Sequence, residues 1–273
     1  RAQVIRILMD ELTRIASHEL WWGAMAMDLG AFTPFFHAFR EREKINDIME
    51  ETCGARLTMN YIVPGGVMQD LHPDFVKKVK EFITLYKSKI DEYDELVTGN
   101  IIFQNRMKGV GYLSAEDAIA YGVTGPAARG SNVSCDVRKI SPYEIYDQLQ
   151  FDEVLETGGD SFARYMVRLR EMNQSIRIIE QLIDQIPEGE FQAKTKAVLK
   201  LPKGEFYQRV ETARGELGVY IVSEGGTTPY RIKFRSPGFS NLSALDHMSR
   251  GSKLGDLVAM MGTLDLVIPD IDR

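Results

Sequence analysis

Ala16, Leu20, Ala24 and Asp28 recur every four residues and therefore share one face of a predicted helix, a small apolar stripe with an acid at its foot. The helix is predicted to stop at Leu29-Gly30 and to restart after Pro34 as the charged run FREREKINDIMEE. That places the Asp28 carboxylate at a helix C-terminus, where unsatisfied carbonyls carry partial negative charge and disfavour an acid. Two readings stand side by side. Either the acid frays into water as the helix ends, or it is the one polar handle on an apolar wall that would hold an amphipathic ligand.

Other residue types offer less chemistry. His18, His37, His72 and His247 form no HxxxH or HExxH pattern, and each reads as a surface or cap residue with no metal site. Cys53 and Cys135 are too few for a cluster and read as buried free thiols. Arg129 and Arg138 flank Asp136 in a long glycine-bearing stretch, an arrangement expected to form surface salt bridges. Neither GxGxxG between strand and helix nor GxxxxGK[ST] occurs, and no GxSxG elbow ties a serine to a histidine. The sequence contains no self-contained catalytic constellation.

The elements that must position Asp28 are mostly helical. Val4, Ile5, Leu8, Leu12 and Ile15 are already in helical phase from the first residues, which reads as a chain entered mid-helix. A second helix is expected from Phe35 to about Thr52, with a turn at Pro64-Gly65-Gly66 and a third helix opening near Pro73. In the third, Val76, Val79, Ile83, Tyr86, Ile90, Tyr93 and Val97 keep a three-four rhythm. Short helices are expected at 100–107, 114–121 and 142–149. After a cap at Gly158-Gly159-Asp160 comes what reads as the longest helix, from Phe162 through Tyr165, Leu169, Met172, Ile176, Ile179 and Ile183 to Ile186. These seams predict an antiparallel bundle. From Phe206 the period changes to two, in FYQRVET, GELGVYIVS and YRIKFRS, which predicts a small antiparallel sheet with EGGTTP as a turn. Helices at about 240–249 and 253–261 and an extended apolar tail complete a mainly α (α+β) chain. It is read as one domain over 1–273, with a helical core at 1–190 and the sheet and last helices at 204–273.

Several long segments carry a more specific signal. RAQVIRILMDELTRIASH, DLGAFTPFFHAFREREKI, GARLTMNYIVPGGV, GELGVYIVSEGGTTPYRIKFRSPGF and GTLDLVIPDIDR together resemble the D subunit of NADH-quinone oxidoreductase, respiratory complex I, which is itself similar to the large subunit of nickel-iron hydrogenases. The resemblance implies a hydrogenase-large-subunit-like fold. It also implies a quinone cavity shared with a partner that holds a [4Fe-4S] cluster, other peripheral-arm and membrane-arm partners, and proton pumping coupled to quinone reduction. By the resemblance, Leu20, Ala24 and Asp28 correspond to cavity-lining positions, Asp28 to the catalytic acid that pairs with a histidine, and Asp265 and Val267 to positions that affect quinone binding. Thr58 and Val63 correspond to positions beside the partner's Fe-S cluster where many members carry His and Arg. The family's headgroup tyrosine and histidine fall upstream of Arg1, so the chain reads as a fragment that is inactive alone. No cofactor is expected on this chain itself. Where hydrogenases carry DPCxxC this chain reads PDIDR, which argues against the alternative of a membrane-bound nickel-iron hydrogenase. A second alternative is a docking scaffold without catalytic contribution.

Bulk properties are compatible with this picture. The chain has 273 residues, 44% hydrophobic and 26% charged, ordinary for a globular protein. A formal charge of -6 argues against nucleic-acid binding. No uncharged apolar run of about eighteen residues occurs and no signal-peptide pattern is present, so membrane attachment is expected through partners, at the cytoplasmic face of a bacterial membrane.

Overall fold

The computed structural model describes residues 1–196 and 198–272. Helix α1, Ala2–Asp28, is the axle of the structure. A turn at Leu29–Ala31 returns the chain into α2, Phe32–Cys53, which starts three residues before the predicted Phe35. Pro34 falls in its first turn, where the backbone N–H groups have no intrahelical partner and proline costs nothing. At Gly23 an added Cβ would stand 3.1 Å from both Ala38 Cβ and Phe35 Cα, so the missing side chain lets α1 and α2 approach closely. A two-residue hairpin, β1 Ile62–Val63 and β2 Gly66–Val67, brackets the predicted Pro-Gly-Gly turn. Helix α3, Phe75–Tyr93, continues into a single π turn at Asp94–Thr98.

Residues 100–150 hold short helices: α4 Ile101–Met107, α5 Ala115–Ala120, α6 Pro126–Arg129 and α7 Val137–Ile140. The last two lie inside the stretch read as a loop, and the helix expected at 142–149 is only a 3-10 turn, Tyr146–Gln148. Asn100, Ser114, Asp136 and Asp160 each accept a backbone N–H at the start of a helix, which fixes where these pieces begin. Helix α8, Ser161–Leu182, is capped by Asp160 as expected, but its 22 residues are fewer than the 27 of α1, and it stops before Ile186.

Strands β3 Gly204–Thr212, β4 Gly215–Ser223 and β5 Arg231–Arg235 form the expected antiparallel sheet in sequence order, with Ala213–Arg214 as the tight turn between the first two. The predicted helix at 240–249 is two helices, α9 Pro237–Ser243 and α10 Leu245–Ser249. Helix α11, Leu254–Leu264, runs into the tail expected to be extended, and α12, Ile268–Ile271, adds a further turn there. The tail's last residue, Arg273, lies outside the described residues.

Pairs such as Glu11 with Ser175, His18 with Glu171 and Trp22 with Tyr165 run in opposite sequence directions, so α1 and α8 are antiparallel. The predicted seams are in the core: Val79, Ile83, Tyr86 and Tyr93 of α3 and Tyr165, Leu169, Met172, Ile176 and Ile179 of α8 are all buried. Trp22 stacks on Tyr93 at 4.2 Å between ring centroids. A smaller apolar cluster joins Leu113, Val123, Ala127 and Ala128 to Ala244, Met248, Met260 and Leu264.

The α1–α8 seam is polar as well as apolar, against expectation. Arg129, Asp136 and Arg138, read as surface residues, are fully buried. Arg129 reaches Glu211 at 2.8 Å and Glu171 at 2.5 Å, while Arg138 reaches Asp136 at 2.7 Å and Glu11 at 3.0 Å. Glu11 also accepts from Tyr146 Oη at 2.7 Å and Ser175 Oγ at 2.6 Å. His18, read as a surface or cap residue, is fully buried with Nε2 3.0 Å from Glu171. Burial raises the Glu171 carboxyl, but Arg129 and the bond to His18 together pull it well below the usual carboxylate range. The imidazole of His18 is pushed down by burial more than Glu171 raises it. Neither cysteine is fully buried; both are free thiols at half-buried positions.

Removing one member of such a buried group strands its partners. Arg129→Met is expected to lower unfolding free energy by roughly 3–5 kcal/mol, because Glu171 and Glu211 both lose their counter-ion. Breaking the exposed pair of Arg177 with Asp152 by Arg177→Met is expected to cost less than about 1 kcal/mol. Denaturant titration of both variants checks the contrast.

Candidate functional site

The last turn of α1 and the end of α11 meet. Leu20, Trp21, Ala24, Met25 and Asp28 of α1 line a cavity of about 470 Å³ together with Val258, Met261, Gly262, Asp265, Leu266 and Val267, and with Arg214 from the β3–β4 turn. Five residues singled out in the sequence, Leu20, Ala24, Asp28, Asp265 and Val267, are thus brought to one place from opposite ends of the chain. The volume lies within the range of roughly 300–1,000 Å³ for small-molecule sites. Its walls are apolar, with two carboxylates and one guanidinium as polar points.

The two acids are held differently. Asp28 is exposed at the end of α1, and no hydrogen bond or ion pair engages its side chain among the described residues. Asp265 is buried, in the left-handed backbone region at φ 55°, as the residue that closes α11. Arg214 grips it: Nη2 donates to Oδ1 at 3.3 Å, Nε stands 3.2 Å from Oδ2, and Nε also donates to its backbone carbonyl at 3.3 Å. Arg214 Nη1 donates further to Ser17 Oγ of α1 at 3.3 Å. Trp21 Nε1 donates to the Gly262 carbonyl at 2.6 Å, a second tie between α1 and α11. Sequence reasoning passes over Arg214 and Trp21, since an arginine in a hairpin turn and a tryptophan in a core helix carry no motif.

Thr58 and Val63 stand elsewhere. Thr58 is exposed, with positive φ, and lines a neighbouring cavity of about 360 Å³ with Met9, Asp10, Thr13, Met59, Tyr61 and Ile62. Val63 is half-buried in β1, and its carbonyl accepts from Arg6 Nη2 at 2.8 Å. A further cavity, of about 200 Å³ and between α1 and α2, has Thr58, Leu20 and Arg214 all in its lining, so it shares residues with both of the others. Asp10 on that face carries no signal in the sequence. Burial, and then the charge of Glu11, push its carboxyl up to about 7. Among the described residues no cluster of three or more His, Cys, Asp or Glu side chains could hold a metal ion.

A mainly helical chain with a small antiparallel sheet and this inter-helix cavity has the hydrogenase-large-subunit-like fold. The family model described as "Respiratory-chain NADH dehydrogenase, 49 Kd subunit" matches residues 28–273, and the chain belongs to that family. The C/D subunit of NADH-quinone oxidoreductase from Bacteroides thetaiotaomicron is 56% identical over 273 residues, all of this chain and 52% of that protein. The D 2 subunit from Opitutus terrae is 49% identical over all of this chain and 69% of its own length, and the D subunit from Bacillus cytotoxicus 45% over all of this chain and 75% of its own. The chain spans about half the length of the Bacteroides relatives it matches.

The Asp10 environment sets a sign for pH dependence. A carboxyl whose folded pKa is raised favours the folded state at low pH, and that contribution is lost as pH rises through about 7. Asp10→Asn is therefore expected to stabilise the protein at pH 8, by on the order of 1 kcal/mol or more, with the gain fading between pH 7 and pH 4. Denaturation midpoints at pH 8 and pH 4 check it.

Proposed function

We propose that this chain forms one wall of the quinone cavity of a proton-translocating NADH-quinone oxidoreductase, the other wall belonging to a partner that carries a [4Fe-4S] cluster. The observation that carries the reading is the convergence of Leu20, Ala24, Asp28, Asp265 and Val267 on one apolar cavity. A quinone headgroup is a flat apolar ring with polar oxygens at its edge, and an apolar slot with a few polar points suits it. Electrons reach it from the partner's cluster; this chain contributes positioning and electrostatics. The apolar wall excludes water. Asp28, unpaired among the described residues and facing the cavity, is free to pair with a histidine outside this chain's 273 residues and to fix its protonation. Asp265, clamped by Arg214, is a fixed charge that orients the headgroup.

The chain is proposed to sit peripherally, at the cytoplasmic face of a bacterial membrane, with the other peripheral-arm and membrane-arm subunits as partners. In support, among the described residues no helix is long and apolar enough to cross a membrane.

The placement of Asp28 separates function from stability, because an exposed acid at a helix C-terminus adds no stability to the fold. In the assembled complex Asp28→Asn is expected to lower the quinone reductase rate about tenfold or more while the amount of complex is unchanged. Unchanged turnover with the native quinone would falsify the catalytic role. Loss of assembly instead would favour a docking scaffold.

A further inference from the structure

Behind the cavity wall lies a charge that the mechanism above does not use. Arg168 of α8 is fully buried, and its Cζ stands 4.6 Å from the centroid of the Trp21 ring, which itself lines the cavity. It donates one hydrogen bond, from Nη1 to the Arg164 carbonyl at 3.2 Å, while Nε and Nη2 meet no acceptor among the described residues. A buried guanidinium with no carboxylate of its own is costly and uncommon.

Its neighbours are committed elsewhere. Arg164, one turn earlier, donates to the carbonyls of Gly111 and Gly159 and to Thr263 Oγ1. Glu171, nearly one turn later, is held by Arg129 and His18. The opposite charge that acts most strongly on Arg168 is Asp265, with Glu171 second and Arg214 and Arg129 opposing. Asp265 is paired with Arg214 from the β3–β4 turn, and its charge also acts on Arg168 of α8. Asp28 faces the same cavity from α1.

We propose that Arg168 is a positioning residue for the cavity: its cation, backing the Trp21 ring, holds that ring in its lining place and adds a positive charge behind a wall where Arg214 is already paired with Asp265. The proposal rests on reading the cavity as a quinone site. Reduction of quinone to hydroquinone takes two electrons, from the partner's cluster, and two protons. An electron that arrives ahead of its proton leaves negative charge on a headgroup oxygen, and a fixed buried cation stabilises that charge more than it stabilises the neutral quinone. The effect therefore falls on kcat and not on KM.

The test uses the assembled complex with Arg168→Met, Arg168→Gln and Arg168→Lys. The neutral variants are expected to assemble and to lose about tenfold in kcat for a short-chain quinone, with KM changed less than about twofold, while Lys restores most of kcat. An unchanged kcat, a loss confined to KM, or failure of both neutral variants to assemble while Lys assembles overturns the inference. A photoreactive quinone analogue, applied to the unaltered complex, keeps the two claims apart. Absence of label on this chain removes the quinone reading itself. Label present with an unchanged kcat in Arg168→Met removes only the role of Arg168.

Discussion

Burying charge between α1 and α8 is the constraint on which the rest of the structure depends. Glu11, Arg14, Arg129, Arg138, Glu171 and Glu211, with the polar imidazole of His18, are all withdrawn from water, and each charge taken into the interior costs several kcal/mol unless neighbours replace its hydration. They do so only as a set. Arg129 comes from α6, Arg138 from α7, Glu211 from β3 and Tyr146 from a 3-10 turn, so satisfying the two helices requires the whole stretch from 126 to 148 and the end of β3 to be in place. A stretch of chain that looks irregular is thereby fixed to the most regular helix pair in the molecule.

That arrangement explains why α1 can serve as a cavity wall. One face meets α8 through the charged seam, and another meets α2 and α3 through apolar packing around Glu19, which accepts from Tyr93 Oη at 3.1 Å. Burial, above all, pushes the Glu19 carboxyl well above its ordinary range. The remaining face meets α2 and α11 less closely, leaving open space between them. It carries Asp10, Thr13, Ser17, Leu20, Ala24 and Asp28, and cavities follow it from end to end. With two faces held rigid, the third can present side chains in fixed positions.

What can be read in the sequence follows from period. The apolar seams of α3 and α8, the three strands and the Asp28 stripe are patterns internal to one element, and the structure shows each of them. His18 and Arg129 escape such reasoning because it assigns charged residues to solvent, and their partner Glu171 lies 153 and 42 residues away in the chain. The clamp of Arg214 on Asp265 spans 51 residues and depends on a left-handed residue that no propensity marks. The expectation placed on Asp265 and Val267 comes from family resemblance alone; spacing gives no hint that the tail returns to the first helix.

The two cavity acids show how one chain can assign different tasks to the same functional group. Asp265 sits in a backbone conformation that non-glycine residues seldom adopt, is buried, and is held by a guanidinium that also binds its own carbonyl and Ser17. Every one of those contacts makes movement of the carboxylate costly, so it behaves as a permanent part of the wall. Asp28 has none of them among the described residues, and its position at a helix C-terminus is electrostatically the wrong one for an acid. An acid disfavoured by its own helix and unclaimed by any described neighbour is the one whose hydrogen-bonding can change without cost to the fold. Under the proposed function, Asp28 is therefore the group suited to exchange partners during turnover, and Asp265 the group that would define where the exchange takes place.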